Sequence, residues 1–502
     1  MTQTTPFSSP IIRSVPSDHL SLHDLALKLQ ASFLFEGSPG GWFDGTVSLL
    51  GAAFFATFQS EGEQSSFDHQ KEDGTWTRHQ YNTPDPLSIL QSWLNRFRPT
   101  SNQNDLSFPF LGGAVGFFSY DFNQRLEKTL LDAHSIRGGR SPCPDIHLLF
   151  VNAFVLYDHT KPLIHIVYDP APLIALGWDP KSAYDHSLQE IAFIEEKMKS
   201  PNNPDIHDLE ATAFQYDESG TAYRMMVSRA KEYIAAGDIF QANLSHRFHA
   251  TISGKTLFPL YQTLQKINPS PFSAYLNMGG IEIASGSPER LVRVKKTGEK
   301  FLVETRPIAG TCERGSNDTE DQEKIAKLYG SNKERAEHLM LVDLERNDLG
   351  KVSKFGSVSV DTLMTLERYS HVFHLVSNIT GELKESVSST DVIRALFPGG
   401  TITGVPKVRC MQIIAELEKV SRGPYTGALG YLGFNGEMDF NIIIRSFYRK
   451  GNDLFFQVGA GIVADSDPDR EYQETLHKAA ALIKAFDGTF TICRGTHVGL
   501  SQ

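Results

Sequence analysis

Two pairs of glutamates are the residues best spaced to act together in this chain of 502 residues. Glu334 and Glu337 are three apart, and so are Glu471 and Glu474, with Lys478 four residues further on. At helical pitch each spacing projects both carboxylates from one face. Four carboxylates from two helix starts would suit one hard cation. Magnesium fits such a set, because it takes oxygen ligands, keeps several waters and bridges to anionic substrates. Each pair taken singly also reads as a helix cap or a solvated face, and spacing does not choose between these readings.

The elements that must position them carry their own start signals. Ser331-Asn332-Lys333-Glu334 has the form of a capping box, followed by Ala336, Leu339, Met340 and Asp343. Asp467-Pro468 supplies an N-cap and then proline at the first helical position. The stripe after it, Tyr472, Leu476, Ala479, Ile483 and Phe486, keeps a 3.6-residue period. Elsewhere short apolar runs alternate with Gly, Pro and Asp: VSLLGAAFFATF, FLGGAVGFFSY, IHLLFVNAFVLYD and LIHIVYD early, then FSAYLNM, IEIAS, LVRVKK, FLVET, HVFHLVS, FNIIIRSFY and LFFQVGAGIVA. These read as strands. Without βαβ alternation, they predict an α+β fold of packed, mostly antiparallel sheets with helices outside. The break at KSPNNPDIHD (199–208) divides a β-rich N-terminal region, 1–205, from a catalytic region, 206–492, with a tail at 493–502.

Composition narrows the partners. The net charge of -11 and pI near 5.9 offer no basic block for nucleic acid, although a metal or a few placed cations would still admit an anionic substrate. The longest apolar stretch, His147 to Tyr157, is too short to span a bilayer, and the N-terminus lacks a signal-peptide core. Cys143, Cys312, Cys410 and Cys493 show no metal-ligand spacing, and a reducing cytoplasm is the expected location.

Other segments expose backbone. Gly459-Ala-Gly-Ile-Val-Ala464 matches GxGxxA after a strand, but too little chain follows for a Rossmann domain, so close backbone approach to a small anion is the better reading. The run from Phe397 to Lys407 is glycine-rich but lacks the GK[ST] ending of a P-loop. Arg445, at the end of NIIIR, suits a bidentate contact with a carboxylate, or an ordinary ion pair. His371 and His374 fall on opposite faces of a strand-like run, where a histidine is ordinarily structural. No GxSxG or GxCxG-type nucleophile turn is present, so the chain carries no evident glutaminase of its own.

Taken in order, GDIFQANLSHRF (237–248), SGSPERL (285–291), RPIAGT (306–311), ERAEHLMLVDLERNDLG (334–350), RYSHVFHLVS (368–377), FPGGTITGVPKVR (397–409), NIIIRS (441–446) and GAGIVADSDPDREYQET (459–475) resemble the chorismate-binding enzymes. That family includes component I of anthranilate synthase and of aminodeoxychorismate synthase, and the isochorismate and salicylate synthases. The resemblance implies an α/β sandwich with the active site between two sheets. It implies Mg²⁺ bound by Glu337 and Glu474 directly and by Glu334 and Glu471 through water, anchoring the ring carboxylate of chorismate. Arg445, Tyr425, Lys478 and the backbone at Gly459 and Gly461 would hold the pyruvyl arm. Gly310, Thr311 and Thr401 would line the ring pocket. His374 would assist loss of the C4 hydroxyl, with Glu289 as acid/base partner.

The resemblance also bears on the nucleophile. Water-adding members have lysine where this chain has Gln241, which implies ammonia, delivered by a separate glutamine amidotransferase subunit. Ala309 and Tyr425 resemble anthranilate synthase, whereas Asn243, Gly400 and the run IVADS resemble aminodeoxychorismate synthase, as does the absence of the tryptophan-site patterns at Leu34–Gly37 and NPSPF. The weight falls on the aminodeoxychorismate-forming branch. Many of its members use a lysine at the position of Ala309 for covalent attack on C2, a route alanine cannot follow. An oxidoreductase would instead rest on GxGxxA alone, and a noncatalytic binding protein would leave the paired glutamates without a task.

Overall fold

The computed structural model describes residues 7–18, 20–51, 53–99, 108–130, 141, 143–201, 209–368 and 372–492. His371, Cys493, the tail at 493–502 and most of the 199–208 break lie outside them. The elements that position the site are, in chain order, β1 (Gln241–Thr251), β2 (Ile281–Ser287), β3 (Arg290–Thr297), β4 (Ile308–Glu313), α1 (Asn332–Val352), β5 (Val372–Glu382), β6 (Met438–Ile442), β7 (Ser446–Lys450), β8 (Asp453–Ile462) and α2 (Pro468–Asp487).

Two twelve-stranded antiparallel sheets make up the body, as the apolar runs predicted. The first runs from Ile11–Pro16 through Phe33–Phe35 and Phe272–Asn277 to β2, β7, β8 and β1. The second runs from β4 through β5, β3 and β6 to Ala428–Gly433, Gly113–Phe118 and the hairpins ending at Trp76–Asn82. Both sheets are continuous across the 199–208 break: Phe33–Phe35 pairs with Phe272–Asn277, and Gly113–Phe118 with Ala428–Gly433. One apolar cluster draws on both sheets, with Leu244 and Phe456 from the first and Val292 and Phe440 from the second.

Several runs that read as one strand are two, one in each sheet. IHLLFVNAFVLYD divides into Ile146–Val151 and Ala153–Asp158, and VSLLGAAFFATF into Val47–Gly51 and Ala56–Glu61. Ile146–Val151, Val47–Gly51 and most of Ala153–Asp158 are buried on both faces, so hydrophobicity continues through the corner and marks no boundary. At the first corner the buried Asn152 exchanges its carbonyl and amide with Asp169, its Nδ2 donating at 2.9 Å. The chain changes sheets again between β2 and β3, where Glu289 stands, and between β6 and β7, where Arg445 stands.

The two helices start where their caps predicted. Ser331 accepts the Glu334 amide through its side chain, and Asp467 accepts those of Asp469 and Arg470. The stripe on α2 packs as expected against the core. On α1 the apolar residues Ala336 and Leu339 face outward, and the inward stripe is His338, Leu341, Val342, Glu345, Asp348, Leu349 and Val352. Three of these are polar or charged, which blurs the amphipathic pattern.

Candidate active site

The two glutamate pairs face one another across the starts of α1 and α2. Burial raises the pKa of Glu337; Lys333, at 3.8 Å, opposes this, and Glu334, Glu471 and Glu474 add to it by like-charge repulsion. Burial likewise raises Glu471, with a Ser466 hydrogen bond opposing and Glu474 reinforcing. The four carboxylates therefore share one field, but they are not closed into a chelate. Among the described residues no group of three His, Cys, Asp or Glu side chains stands close enough to hold a metal ion. Glu474 is instead tied to Lys478 at 2.7 Å. The donor set is right for a hard cation, and Lys478 engages one oxygen of Glu474, Oε1.

Lys478 leads from α2 to the sheet. Its Nζ donates to the Gly459 carbonyl at 3.0 Å, and its own carbonyl accepts from Arg445 at 2.8 Å. Arg445 holds a left-handed backbone (φ 53°) at the corner between β6 and β7, which turns it out of the strand direction. Burial lowers its pKa, while Tyr425 and Glu474 act in the opposite sense. Gly459 and Gly461 lie within β8 and not in a turn. What they need is space: a Cβ at 459 would come 2.6 Å from the Leu244 carbonyl and 3.0 Å from the Tyr425 hydroxyl, and one at 461 would meet Gln241 Nε2 at 2.5 Å. Gln241 is buried, and its Oε1 has no hydrogen-bond partner. Burial pushes the Tyr425 phenol up to about 12.

From the second sheet come β4 and β5, which bring Thr311 opposite His374 in the ladder. Burial first, and then Arg445, push His374 down to about 4, so its imidazole is neutral at physiological pH. Gly310 has φ +90° at a bulge in β4, and a Cβ there would sit 3.4 Å from Glu334 Oε2, which brings the RPIAGT segment against the carboxylates. At the β2–β3 corner burial pushes Glu289 up to about 8, Thr401 opposing and Glu345 reinforcing. Glu289 Oε1 and Thr401 Oγ1 are both buried without a partner of good geometry. Glu289 therefore keeps a proton at neutral pH, and His374 does not.

Three supporting residues were not foreseen. His338 joins α1 to the Ala309 carbonyl through Nδ1 at 2.8 Å and to Ser377 through Nε2 at 2.6 Å, fixing the segment that holds Ala309. Arg422, fully buried, binds Glu418 at 2.6 Å and donates to the carbonyls of Ile402 at 3.0 Å and Asn243 at 2.6 Å. It thereby joins the loop of Thr401 to β1, and its guanidinium lies over Tyr120. Glu345 lies behind Glu289. The spacing of His338 on the inward stripe of α1 could have drawn notice; nothing local marks Arg422.

The chain belongs to the chorismate binding enzyme family, whose model matches residues 32–484. It is 39% identical over 470 residues (92% of this chain, 93% of the relative) to aminodeoxychorismate synthase component 1 of Bacillus subtilis, strain 168. It is 38% identical over 467 residues (91% and 90%) to anthranilate synthase component 1 of Acetivibrio thermocellus. Its fold is like the crystal structure of anthranilate synthase component I from Streptococcus pneumoniae TIGR4, with TM-score 0.72 at 31% identity, covering 87% of this chain and 92% of that one. It is thus a chorismate-binding enzyme of the anthranilate synthase and aminodeoxychorismate synthase type. Among the described residues no helix is long and apolar enough to cross a membrane.

Proposed function

We propose that this chain is component I of an aminodeoxychorismate synthase, converting chorismate and ammonia to 4-amino-4-deoxychorismate for the formation of 4-aminobenzoate and folate. The ammonia comes from a glutamine amidotransferase subunit, and the setting is the cytoplasm. The observation that carries the reading is the fit of Gly400: a Cβ there would come 2.4 Å from Leu344 Cδ2 and 3.1 Å from Glu345 Oε1. The glycine that resembles the aminodeoxychorismate-forming branch thus lets its loop approach Leu344 and Glu345 closely, where a side chain would displace Leu344.

Glu337 and Glu474 would hold Mg²⁺ directly, and Glu334 and Glu471 through water. The ion supplies an anchor and charge neutralisation for the ring carboxylate. Arg445, Lys478 and Tyr425 grip the pyruvyl arm, and Gly459 and Gly461 leave room for it against β8. Glu289 gives its proton to the departing C4 hydroxyl, which leaves as water while ammonia adds at C2 and the ring double bonds shift. The neutral His374 orients that hydroxyl by a hydrogen bond. A second ammonia then adds at C4 as the double bonds shift back, the C2 ammonium leaves as ammonia, and the new C4 ammonium gives up the proton that restores Glu289. Gln241 offers its free Oε1 to the N–H groups of the incoming ammonia. With Ala309 at the C2 side no bond forms between protein and ring.

Anthranilate synthase component I is the alternative, favoured by Ala309 and Tyr425. The test is the product formed from chorismate, Mg²⁺ and ammonium, with and without aminodeoxychorismate lyase. Lyase-dependent 4-aminobenzoate supports the proposal; fluorescent anthranilate formed without lyase overturns it.

A further inference from the structure

The buried end of the site contains a second carboxyl to which the amination chemistry assigns no task. Glu345 lies on the inward stripe of α1, two helical turns after His338, and is sealed from solvent. Its Oε1 accepts the Gly400 amide at 3.3 Å, and its Oε2 faces the Thr305 hydroxyl at 3.4 Å. That hydroxyl makes its shorter bond to the Leu291 carbonyl, at 2.9 Å. The hydrogen bonds are long, but the packing is tight: a Cβ on Gly400 would come 2.4 Å from Leu344 Cδ2 and 3.1 Å from Glu345 Oε1, so both neighbours would have to shift. Carboxyl and turn are shaped for each other. One residue further, Thr401 Oγ1 faces the Glu289 carboxyl, and neither it nor Glu289 Oε1 has a hydrogen-bond partner of good geometry. Native structures leave few such atoms unsatisfied, and each calls for a partner such as a water, an ion or a ligand.

We propose that Glu345 is a positioning residue: by holding the Gly400 amide it fixes the 399–401 turn and so presents the Thr401 hydroxyl and the Glu289 carboxyl to the substrate. The proposal rests on the amination reading and adds a residue that acts without touching substrate. A buried carboxyl is costly unless it serves some purpose, and an apolar side chain would fill the same space at lower cost. The charged groups around Glu345 are Lys407, Asp348 and Glu289. Lys407 is committed to Asp348 at 2.5 Å and to the Leu396 carbonyl at 3.0 Å, so it only partly offsets the burial that pushes Glu345 up to about 7. Glu345 in turn reinforces the proton affinity of Glu289 through like-charge repulsion.

The variants that test this are Glu345→Gln, which keeps an acceptor for Gly400 but removes the charge, and Glu345→Ala, which removes both. With Mg²⁺, chorismate and ammonium, E345A should lose about tenfold in kcat with little change in KM, and glutamine should restore most of it. In E345Q the alkaline limb of the kcat profile should move to lower pH by about half a unit or more, because Glu289 loses its like-charged neighbour. Infrared titration of the resting protein reads the same coupling without turnover. The buried protonated-carboxyl band abolished by Glu289→Gln should titrate at lower pH in E345Q. Wild-type kcat in both variants, or an equal loss in both with the limb and the band unmoved, overturns the proposal. A wild type that never converts chorismate defeats the amination reading instead, and the infrared titration still decides whether Glu345 sets the proton on Glu289.

Discussion

The two ends of the site hold their carboxylates under opposite conditions. At the helix starts, Glu334, Glu337, Glu471 and Glu474 are partly exposed, repel one another and lean on lysines. At the sheet corner, Glu289 and Glu345 are sealed, unmatched by any bidentate cation and inclined to keep a proton. The same residue type thus does two kinds of work. Carboxylates at the partly exposed helix starts are open to a cation, whereas burial at the corner favours the protonated form. Solvent access decides which, since desolvation acts on the charged form alone.

If the contrast is right, removing a partner should cost most where water cannot compensate. Replacing Arg422 by alanine strands Glu418 in the interior and should cost about 3–5 kcal/mol, read as a lower urea midpoint with unchanged slope. A loss below about 1 kcal/mol would mean that water reaches the corner. Next comes Glu289→Gln, which should cut kcat about 100-fold at neutral pH with KM nearly unchanged. The wild type, whose acid is protonated below about 8, should lose activity as pH rises through that value. The same proton stabilises the fold. Glu289 holds it to about 8 against an ordinary value of 4.5, so its contribution is fully present below 4.5 and lost as pH rises through 8; E289Q should flatten that decline in thermal midpoint.

At the exposed end the effects should be smaller and of another kind. Glu337→Ala or Glu474→Ala should lower turnover about 10- to 100-fold and raise the Mg²⁺ needed for half activity, with no measurable change in stability. An unchanged Mg²⁺ dependence would remove these two from the ligand set. Lys333→Ala, at the edge of the cluster, should change stability by less than about 1 kcal/mol. A larger loss would blur the distinction between the two ends.

What could be read beforehand divides along the same line. The starts of α1 and α2 are local events, a cap and a proline within a few residues, and both carboxylate pairs were legible from spacing. The sheets were legible as strands, but not their corners, because Ile146–Asp158 stays apolar through its change of sheet. Gly459 and Gly461 fall in LFFQVGAGIVA, which read as a strand and is one, but the close approach by Gln241 and Tyr425 from distant segments leaves no trace in the immediate sequence. His338, Arg422 and Glu345 were missed for the same reason: each acquires its role from a partner far along the chain.

The continuity of both sheets across the 199–208 break has a consequence for how the molecule is made. Emerging first from the ribosome, the N-terminal stretch presents Phe33–Phe35 and Gly113–Phe118 with one edge each reserved for Phe272–Asn277 and Ala428–Gly433. Those partners are synthesised more than two hundred residues later. Until then these apolar strands are open templates for any other chain nearby. Closing pairings so distant in sequence is slow. Burial of these edges therefore waits for strands made late in synthesis.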